Sequence, residues 1–104
     1  MTLKLKAFAS GTLAAAKATL YTVAADKSVS ARVTLHNTSS GTVRFYLYTN
    51  PGGTSRLVDD ITLDPRDTYH SDYMELEEGD KIEGYAAAAD LVVYRVNGIE
   101  RDQP

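Results

Sequence analysis

The side chains of this chain best suited to chemistry are two histidines, two groups of carboxylates and seven tyrosines. A zinc-type site needs His, Cys or carboxylate ligands converging in a tetrahedral shell. There is no cysteine, which removes thiolate ligands, thiol nucleophiles and disulfides together. His36 falls on the outward side of an alternating run and His70 just after a turn, so both read as surface or loop histidines rather than ligands. Ser, His and Asp residues are present, but no nucleophile elbow or comparable frame presents a serine for attack. Asp59, Asp60, Asp64 and Asp67 form one acidic group, and Glu75, Glu77, Glu78 and Asp80 the other. A calcium loop spaces oxygen ligands at alternate positions around a glycine, and neither group does so. Paired carboxylates could also serve a glycosidase. Turn residues and solvated strand ends explain both groups better, with a weak Ca²⁺ site as the remaining alternative. The reading is therefore no enzyme and no cofactor.

The tyrosines, Tyr21, Tyr46, Tyr48, Tyr69, Tyr73, Tyr85 and Tyr94, accompany only two phenylalanines and no tryptophan. Tyr46 and Tyr48 share a face with Arg44, and Tyr and Arg are the types that enrich interface hot spots. Two readings stay open: this face is an exposed contact surface, or it is buried against a second sheet. At the N-terminus, Leu3, Leu5 and Ala7 alternate with Lys4, Lys6 and Phe8. That arm either adds to a neighbour's sheet edge or completes the chain's own sheet, and Lys4 and Lys6 would blunt an exposed edge. The interface candidates are Arg44, Tyr46, Tyr48, Leu3, Leu5 and Phe8.

The elements that must position these residues are strands. Alternation marks 2–9, 19–24, 29–37, 42–49, 56–63, 68–73, 81–87 and 91–97, with 74–76 leading into a turn. In 29–37, Val29, Ala31, Val33 and Leu35 take one face; in 42–49, Val43, Phe45 and Leu47 do. Leu13–Lys17 is long enough for one helical turn only. Asn37–Gly41, Asn50-Pro51-Gly52-Gly53, Asp64–Asp67 and Glu77–Asp80 are turns, and Asn97-Gly98 is expected to end the last strand. Two hairpins are expected, 29–37 with 42–49 and 81–87 with 91–97. The connections are too short for helical crossovers, which forces antiparallel pairing. The fold class is all-β: a single antiparallel β-sandwich, jelly-roll-like or Greek-key, of about eight strands. Residues 1–12 form the N-terminal strand or extended arm and 13–104 the sandwich domain.

With 104 residues, 43% of them hydrophobic and 24% charged, the chain has the make-up of a soluble globular domain. Its net charge of −3 and scattered Lys and Arg argue against nucleic acid. No run reaches the roughly 18 apolar residues of a membrane span, so no membrane partner is expected. The Ala-rich stretch after Lys4 and Lys6 is not read as a signal peptide, because Gly11 interrupts it. Asn37-Thr38-Ser39, formally a glycosylation sequon, is read as a turn.

The order Thr19-Leu20-Tyr21-Thr22-Val23, Val33-Thr34-Leu35-His36-Asn37-Thr38, then Thr42-Val43 with Tyr46-Leu47, resembles a family of small tailed-bacteriophage virion proteins. So do Leu63 with its turn, Leu76 to Gly84, and Val96-Asn97-Gly98-Ile99-Glu100, so the similarity spans about 13–100. The chain departs from the family's Pro-Ala-Gly at Ala24–Lys27. The resemblance implies a β-sandwich without catalytic residues, made in the host cytoplasm and carried in the virion. A capsid decoration (cement) protein is the first expectation. Its partners would be the major capsid protein and copies of itself, in a trimer or other small ring. A tail, neck or fibre component, with a host-surface or carbohydrate-binding role, is the alternative.

Overall fold

The computed structural model describes the backbone of residues 3–102 and the side chains of residues 7–102. Among the described residues, nine strands and one 3₁₀ turn make up the regular structure. They are β1 (Leu3–Thr12), β2 (Ala18–Thr22), β3 (Lys27–Asn37), β4 (Val43–Asn50), β5 (Arg56–Leu63), β6 (Thr68–His70), β7 (Met74–Leu76), β8 (Lys81–Ala86) and β9 (Val92–Asp102). The 3₁₀ turn, Pro51–Gly53, joins β4 to β5.

Alternation decides which atoms leave water. In β3, Val29, Ala31, Val33 and Leu35 are buried while Ser30, Arg32, Thr34 and His36 are only half-buried. Val43, Phe45 and Leu47 of β4 and Ile82 and Ala86 of β8 are buried in the same rhythm. Each such large side chain stabilises the fold by about 1.5–3 kcal/mol when fully buried. The two inner faces meet in one core that also takes in Leu13, Leu20, Val23, Leu63, Leu76, Val92 and Val96.

One sheet runs β1-β9-β3-β6, with β7 continuing along the same edge of β3; the other runs β2-β8-β4-β5. Every pairing is antiparallel. Counting β6 and β7 as one interrupted strand gives two four-stranded sheets between which the chain crosses repeatedly, the jelly-roll arrangement. The interruption is closed by Ser71, whose Oγ accepts the Val33 N–H at 2.9 Å while its own N–H donates to the Val33 carbonyl at 2.9 Å.

Neither expected hairpin forms. β3 and β4 lie in different sheets, as do β8 and β9. Their apolar residues alternate in the same way whether two strands sit side by side or face each other across a core, so alternation alone did not separate the two. The hairpin that exists is β4–β5, with Val43 opposite Leu63 and Tyr46 opposite Asp60. Leu13–Lys17 carries no helical turn; Leu13 is buried and its N–H donates to the Val92 carbonyl. Asn97-Gly98 does not end a strand but sits inside β9. There Gly98 lets β3 approach: a Cβ at this position would lie 2.0 Å from the Ser30 carbonyl oxygen. The turn at Ala24–Lys27 contains a left-handed residue, Asp26 at φ 61°, a conformation Asp adopts more readily than most residues.

β1 pairs with β9 from Leu3 opposite Arg101 to Thr12 opposite Val93, with a bulge between Ala7 and Ala9. A second bulge, in β2 between Thr19 and Tyr21, turns both Leu20 and Tyr21 away from solvent and breaks the expected alternation there.

Candidate interface on the outer tyrosine face

The outer face of the β2-β8-β4-β5 sheet carries the tyrosines. Because Phe45 and Leu47 point into the core, Arg44, Tyr46 and Tyr48 must point out, and Tyr46 and Tyr48 remain half-exposed. The face is thus open to solvent rather than buried against a second sheet. Ile82, Gly84 and Ala86 are buried in β8, which turns Tyr85 outward directly opposite Tyr46. Their rings stack with centroids 4.5 Å apart and planes 18° apart, and Tyr48 flanks Tyr85 at 6.3 Å. Such a cross-strand aromatic pair contributes about 0.2–1 kcal/mol to the sheet.

Cations close both ends of this row. Arg44 lies over the Tyr46 ring with its guanidinium carbon 5.2 Å from the centroid. Its Nε and Nη2 donate to Oδ1 and Oδ2 of Asp60, each at 2.7 Å. The bidentate bond holds Asp60 below the usual carboxylate range and raises Arg44 further above its ordinary value. At the other end Lys17 Nζ sits 4.7 Å from the Tyr48 centroid and donates to Ser55 Oγ at 3.0 Å. Ser55 Oγ in turn donates to Glu83 at 2.8 Å. Partial burial, then the Tyr48 hydroxyl, raises the Tyr85 phenol above its ordinary value. Leu57, opposite Tyr48 and 55% exposed, extends the apolar area to the sheet edge.

The sequence reading named Tyr85 and Asp60 but did not place them, or Lys17, on this face. The phase of Ile82 and Ala86 was enough to turn Tyr85 outward, but its place beside Tyr46 depends on strand order. Phe8 does not join this face. It stacks on Tyr21 with centroids 4.9 Å apart, linking the two sheets at one side of the sandwich. The side chains of Leu3 and Leu5 lie outside the described residues.

The polar candidates disperse. His36 and His70 sit on the outer face of the other sheet, with His36 Nδ1 2.8 Å from Thr68 Oγ1 and His70 Nδ1 3.0 Å from Thr34 Oγ1. Asp59 accepts the buried-side Tyr69 hydroxyl, while its neighbour Asp60 faces Arg44 on the opposite side of β5. Asp80 Oδ2 accepts the Glu77 N–H at 2.9 Å, a turn contact. Among the described residues no three His, Asp or Glu side chains converge on a metal position. Asn37 of the sequon is fully buried, and its Nδ2 donates to the carbonyls of Gly41, Leu63 and Asp64 at 2.8, 3.1 and 3.2 Å.

No family model matches the chain, and no curated protein does. Among solved structures it is similar to a chain described as "Bacillus endospore appendages form a novel family of disulfide-linked pili". The likeness covers 99% of this chain and 90% of that one, with TM-score 0.62 and 20% identity. At that identity the two share a fold.

Proposed function

We propose that this chain is a non-enzymatic structural subunit that works by contact within a larger particle, using the outer tyrosine face as its principal contact surface. The observation that carries this reading is the Tyr46–Tyr85–Tyr48 row. It is a rigid, half-exposed aromatic surface with a cation at each end, the composition in which interface energy concentrates. In its specific form the particle is a tailed-phage virion. The chain decorates the capsid as a trimer or other small ring and bridges subunits of the major capsid protein.

The likeness to a pilus-type appendage favours a second form, a subunit that polymerises with copies of itself. The relative is described as disulfide-linked, whereas the 104 residues here contain no cysteine. Any such polymer of these residues is held without disulfides.

The test is a paired one. Wild type and the Tyr46→Ala, Tyr48→Ala double variant are mixed with capsids lacking the protein, and each is also concentrated alone and imaged. Capsid-bound wild type supports decoration, and filaments of purified protein support the appendage form. If the double variant matches wild type in both assays, the tyrosine face is not the contact.

A further inference from the structure

The opposite face of the sandwich carries a different surface. On the outer side of the β1-β9-β3-β6 sheet a groove of about 520 Å³ is lined by Ser10, Thr12, Thr34, His36, Arg95 and Asn97, together with Gly11, Val93 and Tyr94. Its volume falls within the ordinary range of small-ligand sites. Strand register explains the lining. Ser10 lies opposite Arg95, Arg95 opposite Thr34, and His36 opposite Val93, so a band across three strands turns the same way. Tyr94, between buried Val92 and Val96, turns its ring to the core side, where the missing Cβ of Gly11 leaves room for it: a Cβ there would meet the ring at 3.2 Å.

The electrostatics of this face run against those of the whole chain, whose net charge is −3. Among the described residues Arg95 makes no ion pair. One strand over, Arg32 lies against the Tyr73 ring at 5.1 Å, and its buried Nε has no hydrogen-bond partner. Glu75, on the same face, is already taken by Arg101 at 2.9 Å. Asp90 stands at the far end of the groove, near Thr12 at 3.4 Å, so the attractive end for an anion is at Arg95. The His36 ring is oriented by its Nδ1 contact with Thr68, which leaves Nε2 on the other side of the imidazole for a further partner.

We propose that this groove binds an acidic saccharide, with Arg95 taking the carboxylate and Ser10, Thr34, His36 and Asn97 taking ring hydroxyls. Hydroxyl, amide and imidazole groups around a single arginine match a hydroxyl-rich ligand that carries one carboxylate. A phosphate ligand would ask for several converging cations or a nest of backbone N–H groups, and this lining offers one arginine. The site goes beyond the structural role and is independent of it: a subunit displayed in many copies would present many such grooves.

Amide chemical-shift titration of the intact chain tests this with sialyllactose and trigalacturonate as acidic probes. Lactose serves as the neutral control and an oligoglutamate peptide as the acidic control that is not a sugar. Expected are shifts at Ser10, Thr34, Arg95 and Asn97 from at least one acidic saccharide. Lactose and the peptide should bind at least about tenfold more weakly, a ratio set by one charge-assisted contact. Arg95→Ala, at an exposed position, should weaken binding about tenfold and Arg95→Lys less. No response to either acidic saccharide, equal binding of lactose or the peptide, or unchanged binding by Arg95→Ala would overturn the proposal. Assembly through the tyrosine face is read separately in the Arg95 variants and should not change.

Discussion

Asn37 offers the sharpest test of how this sandwich is closed. It ends β3 where the chain leaves one sheet for the other, and it is fully buried. Its amide donates to the Gly41, Leu63 and Asp64 carbonyls, and its Oδ1 accepts the Ser39 N–H at 3.0 Å and Ser39 Oγ at 2.8 Å. One side chain thus ties the β3–β4 arch to the end of β5. Asn37→Ala would remove all five of these hydrogen bonds and leave the Ser39 N–H without its acceptor, while Gly41 keeps the Ser39 hydroxyl at 2.9 Å. Each bond lost contributes about 0.5–1.5 kcal/mol, so a total loss of about 3 kcal/mol is expected. For a domain of this size that lowers Tm by about 10–20 °C. Asn37→Asp keeps the acceptor but sets a carboxylate against three carbonyl oxygens. It should be at least as damaging at neutral pH and partly relieved in acid, when a carboxyl O–H can donate. Urea and thermal unfolding followed by circular dichroism measure both. A change under about 0.5 kcal/mol for Asn37→Ala, the range of ordinary surface substitutions, would refute the pinning argument.

Three further outcomes follow from the geometry. Gly98→Ala should destabilise by about 3 kcal/mol or more, because its Cβ would overlap the Ser30 carbonyl and force β3 from β9; denaturant unfolding reads this directly. Asp60 is held below its ordinary pKa by Arg44, so the unfolded chain binds the extra proton. The contribution of this pair is present above about pH 4 and fades as pH falls through the folded value. Asp60→Asn should therefore lower stability slightly at pH 7 and flatten the acid limb of the stability–pH curve. The double change Tyr46→Ala with Tyr48→Ala removes half-exposed rings, so the isolated domain should lose only about 1–2 kcal/mol while assembly falls sharply.

Burial was legible in the sequence where alternation was unbroken. Val29, Ala31, Val33, Leu35, Val43, Phe45 and Leu47 face the core as their spacing requires. Partner choice was not legible. Facing strands and adjacent strands bury the same phase, so β3 and β4 read as a hairpin when they are opposite walls. Gly98 read as a terminator because close backbone approach and turn formation both call for glycine. Asn37 read as a loop residue because two of its three hydrogen-bond acceptors, Leu63 and Asp64, come from a distant turn. Half of the tyrosine face was visible in Arg44, Tyr46 and Tyr48; Tyr85, Asp60 and Lys17 join it only through the β2-β8-β4-β5 order.

The central claim is that the chain is a building block joined through the outer face of that sheet. Cryo-electron microscopy of the particle that contains it, at a resolution that places strands, tests this most directly. The account predicts many symmetry-related copies, with Tyr46, Tyr48 and Tyr85 covered at a subunit contact. A protein present singly, or arrayed with those three tyrosines open to solvent, would contradict it.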